Sequence, residues 1–299
     1  MQFGGQGKPP LGVLYDADFG NTIDVPLGLA VLYGLQVKNE SRVVSVTTSR
    51  PSISSAAFAD VLVRFYTGEP GGFVPVQSIG MPTGTAPKDT PMLADVLAKP
   101  YSRGIKKLND TADPVAVLRN ALSAQFDGNA TVVMAGPPTN LVRLLDLPGA
   151  KELIARKAKL LCVADAWVGP GTKKLLSEWP TPIVAAPKEV GEALLFPASA
   201  IEKELAWAPA HPIVDAWKAA GGKDAPSGAM AAALYSVRPE GLFTVSDPGT
   251  LREDGSFAPG GGGKHRVLGV DPAAKDKVMQ AYLELASTKQ VPRRGRRGG

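Results

Sequence analysis

The sequence predicts an α/β protein built as a single-domain, open, mostly parallel sheet flanked by helices. Three observations predict it. Short apolar β-branched runs alternate with helical patterns, as in Leu11–Tyr15 followed by Val25–Leu35. The runs are apolar throughout rather than alternating, which suits strands buried on both faces. No internal repeat and no Pro/Ser-rich linker divides the 299 residues, so residues 11–288 are expected to form one unit between a flexible stretch, 1–10, and a basic tail, 289–299.

The elements follow in order. Leu11–Tyr15 ends in polar Asp16 and reads as a strand. Val25–Leu35 reads as a helix with Pro26 in its first turn. Arg42–Thr48 is the second strand and Ser54–Tyr66 the second helix, with a short strand expected at Phe73–Val76 and a loop over Met81–Pro91. Asp113–Phe126 has the most regular helical spacing in the chain. Thr131–Ala135 is a strand running into Gly136-Pro137-Pro138-Thr139-Asn140, then a helix through Leu145. Lys159–Val163 and Pro182–Ala185 are two further strands, and Gly260–Gly263 reads as a hairpin loop.

Charge and composition narrow the function. There are 33 basic and 28 acidic residues, a net +5, and four of the positive charges are Arg293, Arg294, Arg296 and Arg297. The body is therefore near neutral, which argues against a specific nucleic-acid footprint; the tail reads as a solvated end. A single cysteine, Cys162, rules out a disulfide framework and a cysteine-based zinc site, and it reads as a buried small hydrophobe. Two histidines, His211 and His265, make a His-rich metal site untenable. No stretch approaches the roughly 18 apolar residues of a membrane span. The start MQFGGQGKPP lacks the features of a signal peptide, so the expectation is a cytoplasmic protein or an exported one whose signal is already removed.

In open α/β sheets, ligands bind beyond the carboxyl ends of the strands. Two segments fall there: Asp16-Ala17-Asp18-Phe19-Gly20-Asn21-Thr22-Ile23-Asp24, and the Gly136–Asn140 loop. Three carboxylates within nine residues suit a hard cation that takes oxygen ligands. Asp24 before Val25-Pro26 equally suits an N-cap, and Asp16 and Asp18 equally suit a solvated strand end. GxGxxG is absent after the first strand, and the spacing is not that of an EF-hand. His265, Asp165 and the four tryptophans, Trp167, Trp179, Trp207 and Trp217, read as structural, and His211 as a loop or helix-entry residue.

Asp16–Leu35 (DADFGNTIDVPLGLAVLYGL) resembles the amino-terminal signature of the inosine-uridine nucleoside hydrolases, in bacterial relatives D-x-D-x-G-N-D-x-D-D-x-L-A. Gly136–Leu141 (GPPTNL) resembles that family's GPLTNL loop, and Asp113–Arg119 and Leu234–Leu268 fit a bacterial subgroup; the likeness runs over about residues 11–285. It implies one Ca²⁺ holding a water and a ribose diol, an aspartate as general base, and cleavage of a ribonucleoside N-glycosidic bond. By position, Asp18 would be the base and a metal ligand, Asp16 a neighbouring metal ligand or a residue that supports one, and Asp24 and Asn140 would hold the substrate. The Thr139 carbonyl would face the metal. The partner implied is a nucleoside or ribose-like small molecule, in a homo-oligomer.

The chain also departs from the pattern. Val25 stands where the family has a metal-binding aspartate, Ala229 where it has another, Thr22 replaces an acid and Ser52 an asparagine. Ala164-Asp165-Ala166 and a short Trp167–Lys174 connection replace a Gly-Gly turn and a substrate loop. Ca²⁺ takes roughly 6–8 oxygens and its affinity follows the carboxylate count, so two lost carboxylates predict a degenerate site with weak Ca²⁺ binding or no cofactor. Two functions stand: an impaired nucleoside hydrolase, or an inactive descendant that binds a ligand or a partner.

Overall fold

The computed structural model describes residues 9–68, 78–164 and 168–289. Its centre is a sheet whose parallel part has the strand order β3-β2-β1-β4-β5-β6-β10. The strands are β1 (Leu11–Ala17), β2 (Ser41–Thr48), β3 (Ile79–Gly80), β4 (Ala130–Ala135), β5 (Ala158–Val163), β6 (Ile183–Ala185) and β10 (His265–Gly269). β8 (Gly249–Leu251) runs antiparallel to β10, β9 (Phe257–Pro259) antiparallel to β8, and β7 (Thr244–Val245) antiparallel to β10. The expected Phe73–Val76 strand, Asp165 and Trp167 lie outside the described residues.

Strand β1 pairs with β2 on one side and β4 on the other, so the chain reverses its direction of travel across the sheet at β1. In open α/β sheets ligands bind beyond the strands' carboxyl ends at such a switch point, which here lies between β1 and β4.

Alternation within the strands feeds two apolar layers. Val13, Tyr15 and Ala17 of β1 join Val133 and Ala135 of β4 in one cluster. Leu14 joins Val132 and Met134 in the other. The first layer is covered by α1 (Asp24–Val37), α2 (Ile53–Thr67), α11 (Gly228–Val237) and α12 (Lys275–Ala286), the second by α4 (Pro114–Ser123), α5 (Thr139–Leu145), α6 (Ala150–Lys157) and α7 (Thr172–Glu178). α1 is buried along nearly its whole length because it lies between the sheet and two other helices. Gly34 makes this possible: a Cβ there would stand 2.3 Å from the Leu285 carbonyl of α12.

Some expectations need correction. Asp24 does not cap its own helix; Ile23 holds that position without a side-chain bond. The expected loop is free of helix and strand over 81–90, and a helix not expected from the sequence, α3 (Pro91–Ala98), starts at its last residue, capped by Thr90. Gly260–Gly263 does not close a hairpin between neighbours, because β8 lies between β9 and β10. The helix expected over Asp113–Phe126 is shorter, with Asp113 as its N-cap. The remaining helices are α8 (Lys188–Ala193), α9 (Ala198–Glu204) and α10 (Pro212–Ala219). Among the described residues no helix is long and apolar enough to cross a membrane.

Candidate functional site

The crevice is assembled from three strand ends. β1 delivers Asp16 and, just past its end, Asp18. The register sets Asp16 beside Thr47 of β2 and Met134 of β4. Backbone bonds continue the ladder beyond the strands: Asp18 N–H donates to Ala135 O at 3.0 Å, and Ser49 N–H to Ala17 O at 3.0 Å. Gly136 is needed here, since a Cβ would stand 2.7 Å from both the Asp18 nitrogen and Ser49 Oγ. The turn after Asp18 is tied down by two hydroxyls, Ser55 Oγ to Phe19 O and Thr90 Oγ1 to Gly20 O, each at 2.6 Å.

Asp16 is fully buried. Its Oδ1 accepts from Thr47 Oγ1 at 2.6 Å and from Asn140 Nδ2 at 2.8 Å. Burial pushes its carboxyl up to about 6, against the pull of those two hydrogen bonds. Asn140 Nδ2 also donates to Thr48 O at 2.9 Å, so one amide links β1, β2 and α5. Four buried side-chain oxygens around these strand ends have no hydrogen-bond partner among the described residues: Asp16 Oδ2, Ser49 Oγ, Thr139 Oγ1 and Asn140 Oδ1.

Asp18 meets a group that the sequence reading missed. Arg50 Nε donates to Asp18 Oδ1 at 2.7 Å and Nη2 to Oδ2 at 3.2 Å, with the two side chains only 13% and 14% exposed. A forked guanidinium on a carboxylate is among the strongest side-chain pairings. A signal for it existed: β2 follows β1 in the chain and runs parallel to it, so a residue just past Thr48 must come level with one just past Ala17.

Asp24 is also committed. Its Oδ2 accepts from Ala229 N–H at 2.8 Å and its Oδ1 from Met230 N–H at 3.4 Å, at the N-terminus of α11. A carboxylate there satisfies amides that a helix cannot bond internally and meets the positive end of its dipole. Val25 is a core residue, 4% exposed, whose carbonyl accepts from Tyr15 Oη at 2.7 Å. Thr139 opens α5, Ser52 caps α2, and Thr22 is exposed.

These residues do not fit Ca²⁺ in the arrangement the resemblance implies. Both oxygens of Asp18 face a guanidinium, those of Asp24 face α11, and Val25 and Ala229 are buried carbon. Among the described residues no three His, Cys, Asp or Glu side chains gather as a metal group. A divalent ion against Asp18 would also meet the positive charge of Arg50.

Other residues weighed from sequence that lie among the described ones have structural places. His265 Nδ1 accepts from Leu251 N–H at 3.0 Å and Nε2 lies 3.1 Å from Leu176 O, which binds β8 to α7. His211 caps α10 and packs against Phe65, Tyr66 and Trp207. Trp179 and Trp217 are buried with their ring N–H groups bonded, and Cys162 is buried in β5.

Comparison with known proteins agrees with this architecture. Neither a protein-family model nor a curated protein sequence matches the chain. Solved structures do match over nearly their whole length. A purine-preferring ribonucleoside hydrolase from Gardnerella vaginalis is 15% identical at a TM-score of 0.67, covering 92% of this chain and 99% of the other. A plant nucleoside hydrolase is 18% identical at 0.68, covering 93% and 99%. The type III effector protein XopQ, in complex with adenosine diphosphate ribose, is 13% identical at 0.65, covering 96% of each. The chain has the nucleoside hydrolase fold.

Proposed function

We propose that this chain is a nucleoside hydrolase-like protein that binds a nucleoside or ribose-like ligand in the crevice at β1, β2 and β4, with N-glycosidic hydrolysis impaired. The observation that carries this reading is the forked Asp18–Arg50 pair. A general base must be aimed at the water whose proton it takes, and here the Asp18 carboxylate is held in a fork by the Arg50 guanidinium, which takes one lone pair of each oxygen and sets a positive charge against it. The metal that would acidify the water does not fit the donor set, so the usual source of a nucleophile at neutral pH is lost with it.

Binding is a separate matter and is better supported. Asp16 Oδ2 and Asn140 Oδ1 are acceptors without donors. Leaving such groups buried and unmade costs about 1–3 kcal/mol each. Hydroxyls on adjacent sugar carbons supply donors, and the hydroxyls of Ser49 and Thr139 serve as either donor or acceptor. A phosphate dianion supplies only acceptors and would oppose Asp16. The complex of the XopQ fold neighbour with adenosine diphosphate ribose is consistent with a ribosyl group on this scaffold.

The test is calorimetric titration with inosine, uridine, ribose and adenosine diphosphate ribose, beside a ribose-release assay. Expected are measurable binding of at least one ribosyl compound, its loss in Asn140→Ala, and ribose release near background. Turnover abolished by Asp18→Ala would overturn the impaired-hydrolase reading, and no binding across the panel would overturn the binding reading.

A further inference from the structure

We propose that Arg50 is the resident cation of the crevice, its guanidinium replacing a divalent ion and leaving the protein indifferent to Ca²⁺ and to chelators. The inference stands on the Asp18–Arg50 geometry and holds whether or not a ribosyl ligand binds.

Asp16 lies in β1 and Asp18 just past its end. A carboxylate that is largely removed from water needs a positive charge beside it or hydrogen-bond donors on it. Asp16 is held by Thr47 and Asn140, which are neutral. Asp18 is held by Arg50 through two bonds, at 2.7 and 3.2 Å.

The guanidinium is preset rather than swept in. Arg50 N–H donates to Thr48 Oγ1 at 3.2 Å, its carbonyl accepts from Ser52 N–H at 2.9 Å, and the following Pro51 restricts its backbone. A carboxylate has two oxygens, and here each already takes an N–H. An incoming divalent ion would have to share Asp18 with the positive charge of Arg50, or evict Arg50 and strand a largely buried guanidinium without its partner. Lysine would supply the charge without the fork; the positive charge closes the site to metal, and the fork fixes where that charge sits.

The test uses the full chain and reads metal binding directly, by Ca²⁺ calorimetry and by the thermal midpoint with millimolar Ca²⁺ or excess EDTA. Wild type is expected to show no binding heat and no change of midpoint in either. Arg50→Gln frees Asp18 and is expected to gain Ca²⁺ binding, with a Ca²⁺-dependent midpoint rise of a few °C, about what weak ligation to a folded state supplies. Asp18→Asn added to Arg50→Gln is expected to abolish that gain. Arg50→Lys keeps the positive charge and is expected to stay closed to Ca²⁺ like wild type. Ca²⁺ binding or EDTA sensitivity in wild type would overturn the proposal, and so would a folded Arg50→Gln that takes up no Ca²⁺. If Arg50→Gln does not fold, wild type and Arg50→Lys decide: both insensitive supports the proposal, and Ca²⁺ binding by either overturns it.

Discussion

Asp16 holds a fully buried carboxyl, and its protonation is a stability variable. Its native-state value is pushed up to about 6, first by burial, against an unfolded value near 3.8. A raised carboxyl favours the native state at low pH. That advantage disappears as pH rises from about 4 through 6, and above 6 the charged form costs about 3 kcal/mol. Burial acts on His211 with the opposite consequence, because its charged form is the protonated one: its value is pushed down to about 3. Stability from a neutral His211 is complete above about 6.5 and falls as pH drops toward 3, by about 2 kcal/mol at pH 5. Urea denaturation from pH 4 to 8 separates the two. Asp16→Asn is expected to stabilise by about 1–3 kcal/mol at pH 8 and by almost nothing at pH 4, whereas His211→Gln should flatten the acid limb. Equal effects of Asp16→Asn at both pH values would show that the carboxylate carries no such penalty.

At the scale of elements, helix α1 shows what sequence can and cannot convey. Its apolar residues run all round it, which marks a buried helix, and Pro26 marks its start. Which helices surround it is decided by distant residues: α11 through the Asp24 carboxylate, α12 through the close approach at Gly34. Gly34→Ala must push apart two backbones rather than displace a flexible side chain, so a cost of at least about 2–3 kcal/mol is expected. Chemical denaturation should show a lower midpoint with an unchanged slope; a change under about 0.5 kcal/mol would mean that the helices are not held by this contact. The same limit governs the site. Asp16, Asp18 and Asp24 are legible as crevice acids because a strand end and a helix start flank them. The Arg50 contact joins residues 32 apart and follows only from strand register. The glycine run at 260–263 has turn chemistry, but turn chemistry is silent on whether the strands it joins are neighbours, and here β8 intervenes. Helix α3 is short and follows a loop rich in Pro and Thr, so periodicity had little length in which to show.

For the whole molecule, the decisive feature is that the crevice sits where the two apolar layers share their strands. β1 and β4 each send alternate side chains into both clusters, and Asp16 and Asn140 join β1, β2 and α5 at the same point. A ligand bound there contacts neither layer alone. Its binding free energy therefore adds to the stability of both at once, rather than splitting unfolding into a protected and an unprotected half. A ribosyl ligand at about 100 times its dissociation constant adds about 2.7 kcal/mol, which for a chain of this size corresponds to a rise in Tm of about 4 °C. Differential scanning calorimetry is expected to show one transition that moves as a unit with ligand concentration and keeps its shape. A transition that splits, with one component fixed while the other rises, would mean that the helices over one face melt independently of the strands they cover. The same scan in EDTA, giving an identical shift, is what a crevice with its own guanidinium requires.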